Sequence, residues 1–160
     1  MKRKILDTLI AWKESPDRKP LILDGARQVG KTWSIKEFGK RAYAAFAYVN
    51  LEIDASVADF FSSDIDPGRL LRFLETYTNQ RIHPGKTLVI LDEIQSCERA
   101  LSSLKYFNEQ APDYHIAAAG SLFVEVLERT QSPLARLDFI KNDKRFSRMD
   151  ALIRVRLQEA

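Results

Sequence analysis

Gly25-Ala26-Arg27-Gln28-Val29-Gly30-Lys31-Thr32 follows the pattern G-x-x-x-x-G-K-T. Each fixed position has a physical reason. Gly25 and Gly30 admit backbone angles and a close approach that a Cβ would block. The loop can then turn its N–H groups inward as a nest around anionic oxygens. Lys31 adds a cation for the β- and γ-phosphates of a nucleotide, and the Thr32 hydroxyl can hold Mg²⁺. A helix beginning near Lys31 adds the positive end of its dipole. The stretch reads as a phosphate-binding P-loop, with Ala26, Arg27, Gln28 and Val29 supplying backbone between the glycines. Arg27 supports the shape of the loop or the packing around it.

The flanks agree with this reading, which needs a strand before the loop and a helix after it. Leu21-Ile22-Leu23-Asp24 is a short apolar run, as a buried strand should be. After the loop, Ile35, Phe38 and Ala42 share one helical face. Trp33 follows the loop and either packs or lines the pocket of the nucleotide base.

Leu88-Val89-Ile90-Leu91-Asp92-Glu93 is the second half of the pattern. Four apolar residues and two carboxylates make a Walker B sequence, sixty residues after the loop's Thr32. A buried strand delivers these acids at the C-terminal edge of the sheet, where α/β proteins bind ligands. Asp92 would hold Mg²⁺ with Thr32, directly or through water, and Glu93 would orient and polarise the attacking water. The bland alternative is a carboxylate pair that caps the next helix. A second acid favours hydrolysis over transfer to a second substrate.

Between and beyond these motifs the chain alternates strand and helix. Helices are predicted at 3–13, from the loop to about 41, near 56–62, at 68–79 and at 98–111. In the first of them Ile5, Leu6, Leu9, Ile10 and Trp12 share a side. Strands are predicted at 21–24, 45–51, 87–91 and 115–119. The alanines of Ala117-Ala118-Ala119 suit a strand wedged at the sheet centre. The pattern is an α/β sandwich around a parallel sheet. Ser121, after the fourth strand, either senses the γ-phosphate or caps the following helix, and both can hold together. Asn50, ending the second strand, either reaches Glu93 and holds it idle or is a plain strand-end residue.

Composition sets the outer bounds. With 160 residues, 45% apolar and 29% charged, the chain reads as one globular domain. No apolar run approaches the ~20 residues of a membrane span, so no membrane role is expected. The start lacks a signal peptide's apolar region. The single Cys97 cannot form an internal disulfide, which fits a reducing cytoplasm. It has no His nearby in sequence, so an inert thiol is expected. His83 and His115 lack ligand spacing and make no metal pair. Residues 133–160 hold seven Lys or Arg and four acids, the whole of the net charge of +3. Such a tail is either a solvated segment or a contact to nucleic acid. The organisation expected is a P-loop core over 1–132 and a basic tail over 133–160.

Gly25–Thr32, Tyr48-Val-Asn-Leu-Glu52, Leu91-Asp-Glu-Ile-Gln95 and Ala119-Gly-Ser121 together resemble the prokaryotic AAA-type ATP-binding proteins. More narrowly, they resemble the group whose ATPase domain precedes a C-terminal domain of unknown function. The resemblance runs from about residue 3 to 130. It implies ATP and Mg²⁺ as ligands and a three-layer α/β/α P-loop NTPase fold with strand order 5-1-4-3-2. It also implies an arginine finger, supplied by a second subunit or a partner protein. Arg136 stands in the region where such fingers lie, and Arg129 comes second. Residues 134–140 are the stretch expected to be strand five. Beyond Ile140 the family pattern dissolves, as a truncated or frameshifted product would show. The expected function is Mg²⁺-dependent ATP hydrolysis, slow in the isolated chain. Two alternatives stay open: a nucleotide-binding switch without turnover, and an ATP-regulated module associated with DNA.

Overall fold

A computed structural model describes residues 2–24, 30–121 and 153–156. Five helices and a parallel sheet alternate along the chain. The helices are α1 (Lys2–Glu14), α2 (Lys31–Ala42), α3 (Ala55–Ser63), α4 (Pro67–Thr78) and α5 (Glu98–Gln110). The strands are β1 (Leu21–Asp24), β2 (Ala45–Asn50), β3 (Thr87–Asp92), β4 (His115–Gly120) and β5 (Ile153–Arg156).

The sheet runs β2-β3-β4-β1-β5, with every pair parallel. The first four strands take the order 1-4-3-2 that was expected. The strand beside β1 does not match the expectation. It is Ile153–Arg156, whereas the predicted stretch 134–140 lies outside the described residues. Ile-Arg-Val-Arg alternates apolar and basic residues, the period a strand requires.

Strand parity distributes the core over two faces. Leu21, Leu23, Leu88, Ile90, Ala117 and Ala119 face α1 and α2, where they meet Leu9, Trp12, Ile35 and Phe38. Ile22, Val89, Leu91, Ile116 and Ala118 face the other way, against Val57, Phe61, Leu70, Leu104 and Phe107 of α3, α4 and α5. The result is three layers. On α1, Ile5, Leu6, Leu9 and Trp12 are buried, but Ile10 is exposed. Its position lies off the stripe that a 3.6-residue period aims at the sheet.

Local chemistry sets the helix ends. Asp66 caps α4, its Oδ2 accepting from Arg69 N at 3.0 Å, and Pro67 follows at the first position, where no N–H is missed. Asn79 ends α4 in the left-handed conformation. At the start of α2, Gly30 has φ 87°, a left-handed angle that suits glycine, and its carbonyl accepts from Ser34 N. This turn aims the first residues of α2 at the C-terminal edge of the sheet.

No helix of the described residues is long and apolar enough to cross a membrane. Cys97 is buried and free, its Sγ 3.7 Å from the Ala58 carbonyl.

Candidate functional site

The site is built at the C-terminal ends of β3 and β4 and the N-terminus of α2. Asp92 is the last residue of β3 and shares the face of Leu88 and Ile90 by strand parity. That face is the one α2 covers. Lys31 and Thr32, in the first turn of α2, therefore meet Asp92 from a sequence distance of about sixty residues.

The geometry is specific. Thr32 Oγ1 donates to Asp92 Oδ2 at 2.7 Å. Tyr48 donates its hydroxyl proton to the same oxygen at 2.6 Å. The Glu93 backbone N–H donates to Asp92 Oδ1 at 2.9 Å. Asp92 is 2% exposed, and three donors hold its carboxylate in one orientation. Burial pushes the Tyr48 phenol up, and its hydrogen bond to Asp92 adds to the rise. The hydroxyl is therefore a fixed donor at neutral pH. Lys36 Nζ stands 3.9 Å above the Tyr48 ring, a cation–π contact that ties the same tyrosine to α2.

Lys31 is also buried, and its ammonium reaches Ser121 Oγ at 3.4 Å. That distance is near the outer limit of a hydrogen bond. Ser121 follows the last residue of β4 and is buried as well. Whether it caps a following helix falls on residues outside the described ones.

Glu93 turns off the strand. Its backbone is left-handed, φ 53° and ψ 46°, a conformation that costs a non-glycine residue about 1–2 kcal/mol. A short 3₁₀ turn at Ile94–Ser96 follows, anchored by the fully buried Ile94. The turn folds Gln95 back so that its Nε2 donates to Glu93 Oε2 at 2.5 Å. Gln95 Oε1 is buried with no hydrogen-bond partner.

Of the two readings of Asn50, its hydrogen bonds agree with the strand-end one. Asn50 Oδ1 accepts from Glu52 N at 2.9 Å and Ile53 N at 3.1 Å, so it closes the turn after β2. The amide that reaches Glu93 is that of Gln95. Trp33 is 44% exposed on the first turn of α2. Gly25, Ala26, Arg27, Gln28, Val29, Arg129 and Arg136 lie outside the described residues.

A divalent cation fits the residues that are described. Thr32 and Asp92 offer hard oxygen donors side by side, the donor type Mg²⁺ takes. Among the described residues no group of three or more His, Cys, Asp or Glu forms a cage for a metal. Tyr48 and Gln95 are the site residues that sequence reasoning missed. Tyr48 stands two residues before Asn50 in a half-buried strand, a polar ring on the face that α2 covers.

A family model described as an AAA domain matches residues 17–139, well over half of the chain. A comparison with curated proteins found no match.

Proposed function

The chain belongs to the AAA domain family, and from that premise we propose that it binds ATP with Mg²⁺ and hydrolyses the γ-phosphate. The observation that carries this reading is the meeting of Lys31, Thr32, Asp92, Glu93 and Ser121 at one sheet edge.

Each residue has a role in the proposal. Lys31, with backbone N–H groups of the Gly25–Gly30 loop, binds the β- and γ-phosphates. Thr32 and Asp92 would hold Mg²⁺, which would offset the negative charge of the phosphates. Tyr48 holds Asp92 in the orientation this requires. Ser121 donates to a γ-phosphate oxygen in place of its present contact with Lys31. Glu93 orients and polarises a water for attack on the γ-phosphorus. The bond to the β-phosphate oxygen breaks, and ADP and phosphate leave.

Arg136 of a second copy would complete the site as an arginine finger. Without one, a nucleotide site of this kind loses about 10³–10⁵ in rate. The isolated chain should therefore be slow. ATP titration and phosphate release by the full chain, with and without Mg²⁺, test the reading. Tight Mg²⁺-dependent binding with slow release supports it. Absence of ATP binding in Mg²⁺ overturns it.

A further inference from the structure

Three neighbouring facts concern Gln95. Its amide nitrogen is committed to Glu93 Oε2. Its oxygen is buried without a partner. That same oxygen lies 2.3 Å from where a Cβ on Gly120 would be, so a side chain at 120 has to displace it. The amide has one workable orientation. Turned over, it would set its oxygen against the Glu93 carboxylate, two acceptors facing each other.

Gly120 leaves the space at the end of β4 that the Gln95 amide fills, with Ile94 beside it. The next residue is Ser121, whose hydroxyl meets Lys31. A side chain packed this closely cannot stay in place when the backbone beneath it shifts. Asn50, the other amide near the strand ends, is tied into its own turn and leaves this contact to Gln95.

We propose that Gln95 is a positioning residue that couples Glu93 to Gly120–Ser121, so that a phosphate engaging Ser121 changes the pose of Glu93. The link runs through two contacts. A phosphate that draws Ser121 from Lys31 moves the end of β4. Gln95 follows Gly120, and its amide carries or releases the Glu93 carboxylate. The inference rests on the proposed ATP site for its trigger, but the link from Gly120 through Gln95 to Glu93 exists without nucleotide.

The test uses ¹⁵N-labelled full chain and follows the Gln95 side-chain amide pair, identified by its loss in Gln95→Glu. In the nucleotide-free parent the pair should sit away from the free-amide position and exchange slowly. Glu93→Ala should return it to the free position. Gly120→Ala should move it too, although it leaves the Glu93 side chain intact. A non-hydrolysable ATP analogue with Mg²⁺ should shift the pair in the parent. In turnover, Gln95→Ala and Gly120→Ala should each lower kcat by roughly 10²-fold, the scale of a misplaced reacting group, with KM little changed.

A pair at the free-amide position in the parent, or one that ignores Gly120→Ala, overturns the proposal. So does a parent-like kcat in Gln95→Ala. Failure of the analogue to bind would overturn the ATP reading and the trigger, while the nucleotide-free response to Gly120→Ala still decides the link.

Discussion

Thr32 Oγ1 and Asp92 Oδ2 lie 2.7 Å apart, which joins the first turn of α2 to the last residue of β3. The contact links two motifs that the chain separates by a strand, two helices and several turns. It follows from strand parity: Asp92 shares the face of Leu88 and Ile90, and α2 covers that face.

Tyr48→Phe tests the support beneath that pair. The substitution removes one charge-assisted hydrogen bond from a buried carboxylate and keeps the ring under Lys36. Such a bond contributes about 1.5–3 kcal/mol. The Mg²⁺ concentration needed for half-maximal ATP binding should rise by roughly 10-fold or more, while Mg²⁺-free binding changes little. A magnesium titration at fixed ATP reads this directly. An unchanged midpoint would remove Tyr48 from the metal platform.

His115 supplies a pH prediction independent of the site. It opens β4, buried against Trp12 and Tyr43, with ring centroids at 6.0 and 5.4 Å. Burial lowers its pKa to about 4, and the charges of Arg18 and Lys13 add to the effect. Tyr43, whose own phenol burial pushes up, shares a hydrogen bond of 2.6 Å with Nδ1 of the neutral ring. The folded state therefore resists a proton that the unfolded chain accepts below pH 6.5. This contribution is constant above that pH and is lost as pH falls toward 4. The loss approaches about 3 kcal/mol and then levels off. Urea unfolding at pH 7 and pH 4.5 should show a larger drop for the parent than for His115→Phe. Equal drops would contradict the assignment.

Much of this fold was legible in the chain, for identifiable reasons. The first four strands are short apolar runs between turn residues, and four of the helices show a buried stripe of period 3.6. Lys31, Thr32, Asp92, Glu93 and Ser121 stood out because spacing and chemistry agree. Tyr48 did not, since its partner depends on the parallel register that sets Asn50 beside Asp92. Gln95 was hidden for another reason. Only the left-handed turn at Glu93 folds it back, and an acid is an unusual residue for that angle. The pairing of Ile153–Arg156 with β1 was not legible, because a short alternating stretch says nothing of which strand it joins, and 134–140 lie outside the described residues.

Arg136 is tested by mixing. Arg136→Ala chains and Glu93→Gln chains should each be nearly inactive alone. If Arg136 acts across an interface, a mixture should recover activity, because some interfaces then carry one intact site. The rate per chain of the parent should rise with protein concentration. No recovery in a mixture shown to associate would exclude Arg136 as the finger.

The most direct test compares the parent chain with Lys31→Ala and Glu93→Gln in ATP binding and phosphate release. The parent should bind Mg²⁺-ATP and release phosphate at about 10⁻² per second or below, the range of a site lacking its finger. Lys31→Ala should weaken binding by roughly 10–100-fold, because one charge-assisted contact to the phosphates is gone. Glu93→Gln should bind as the parent does and release no phosphate. Parent-like affinity in Lys31→Ala together with parent-like turnover in Glu93→Gln would contradict the account at its centre.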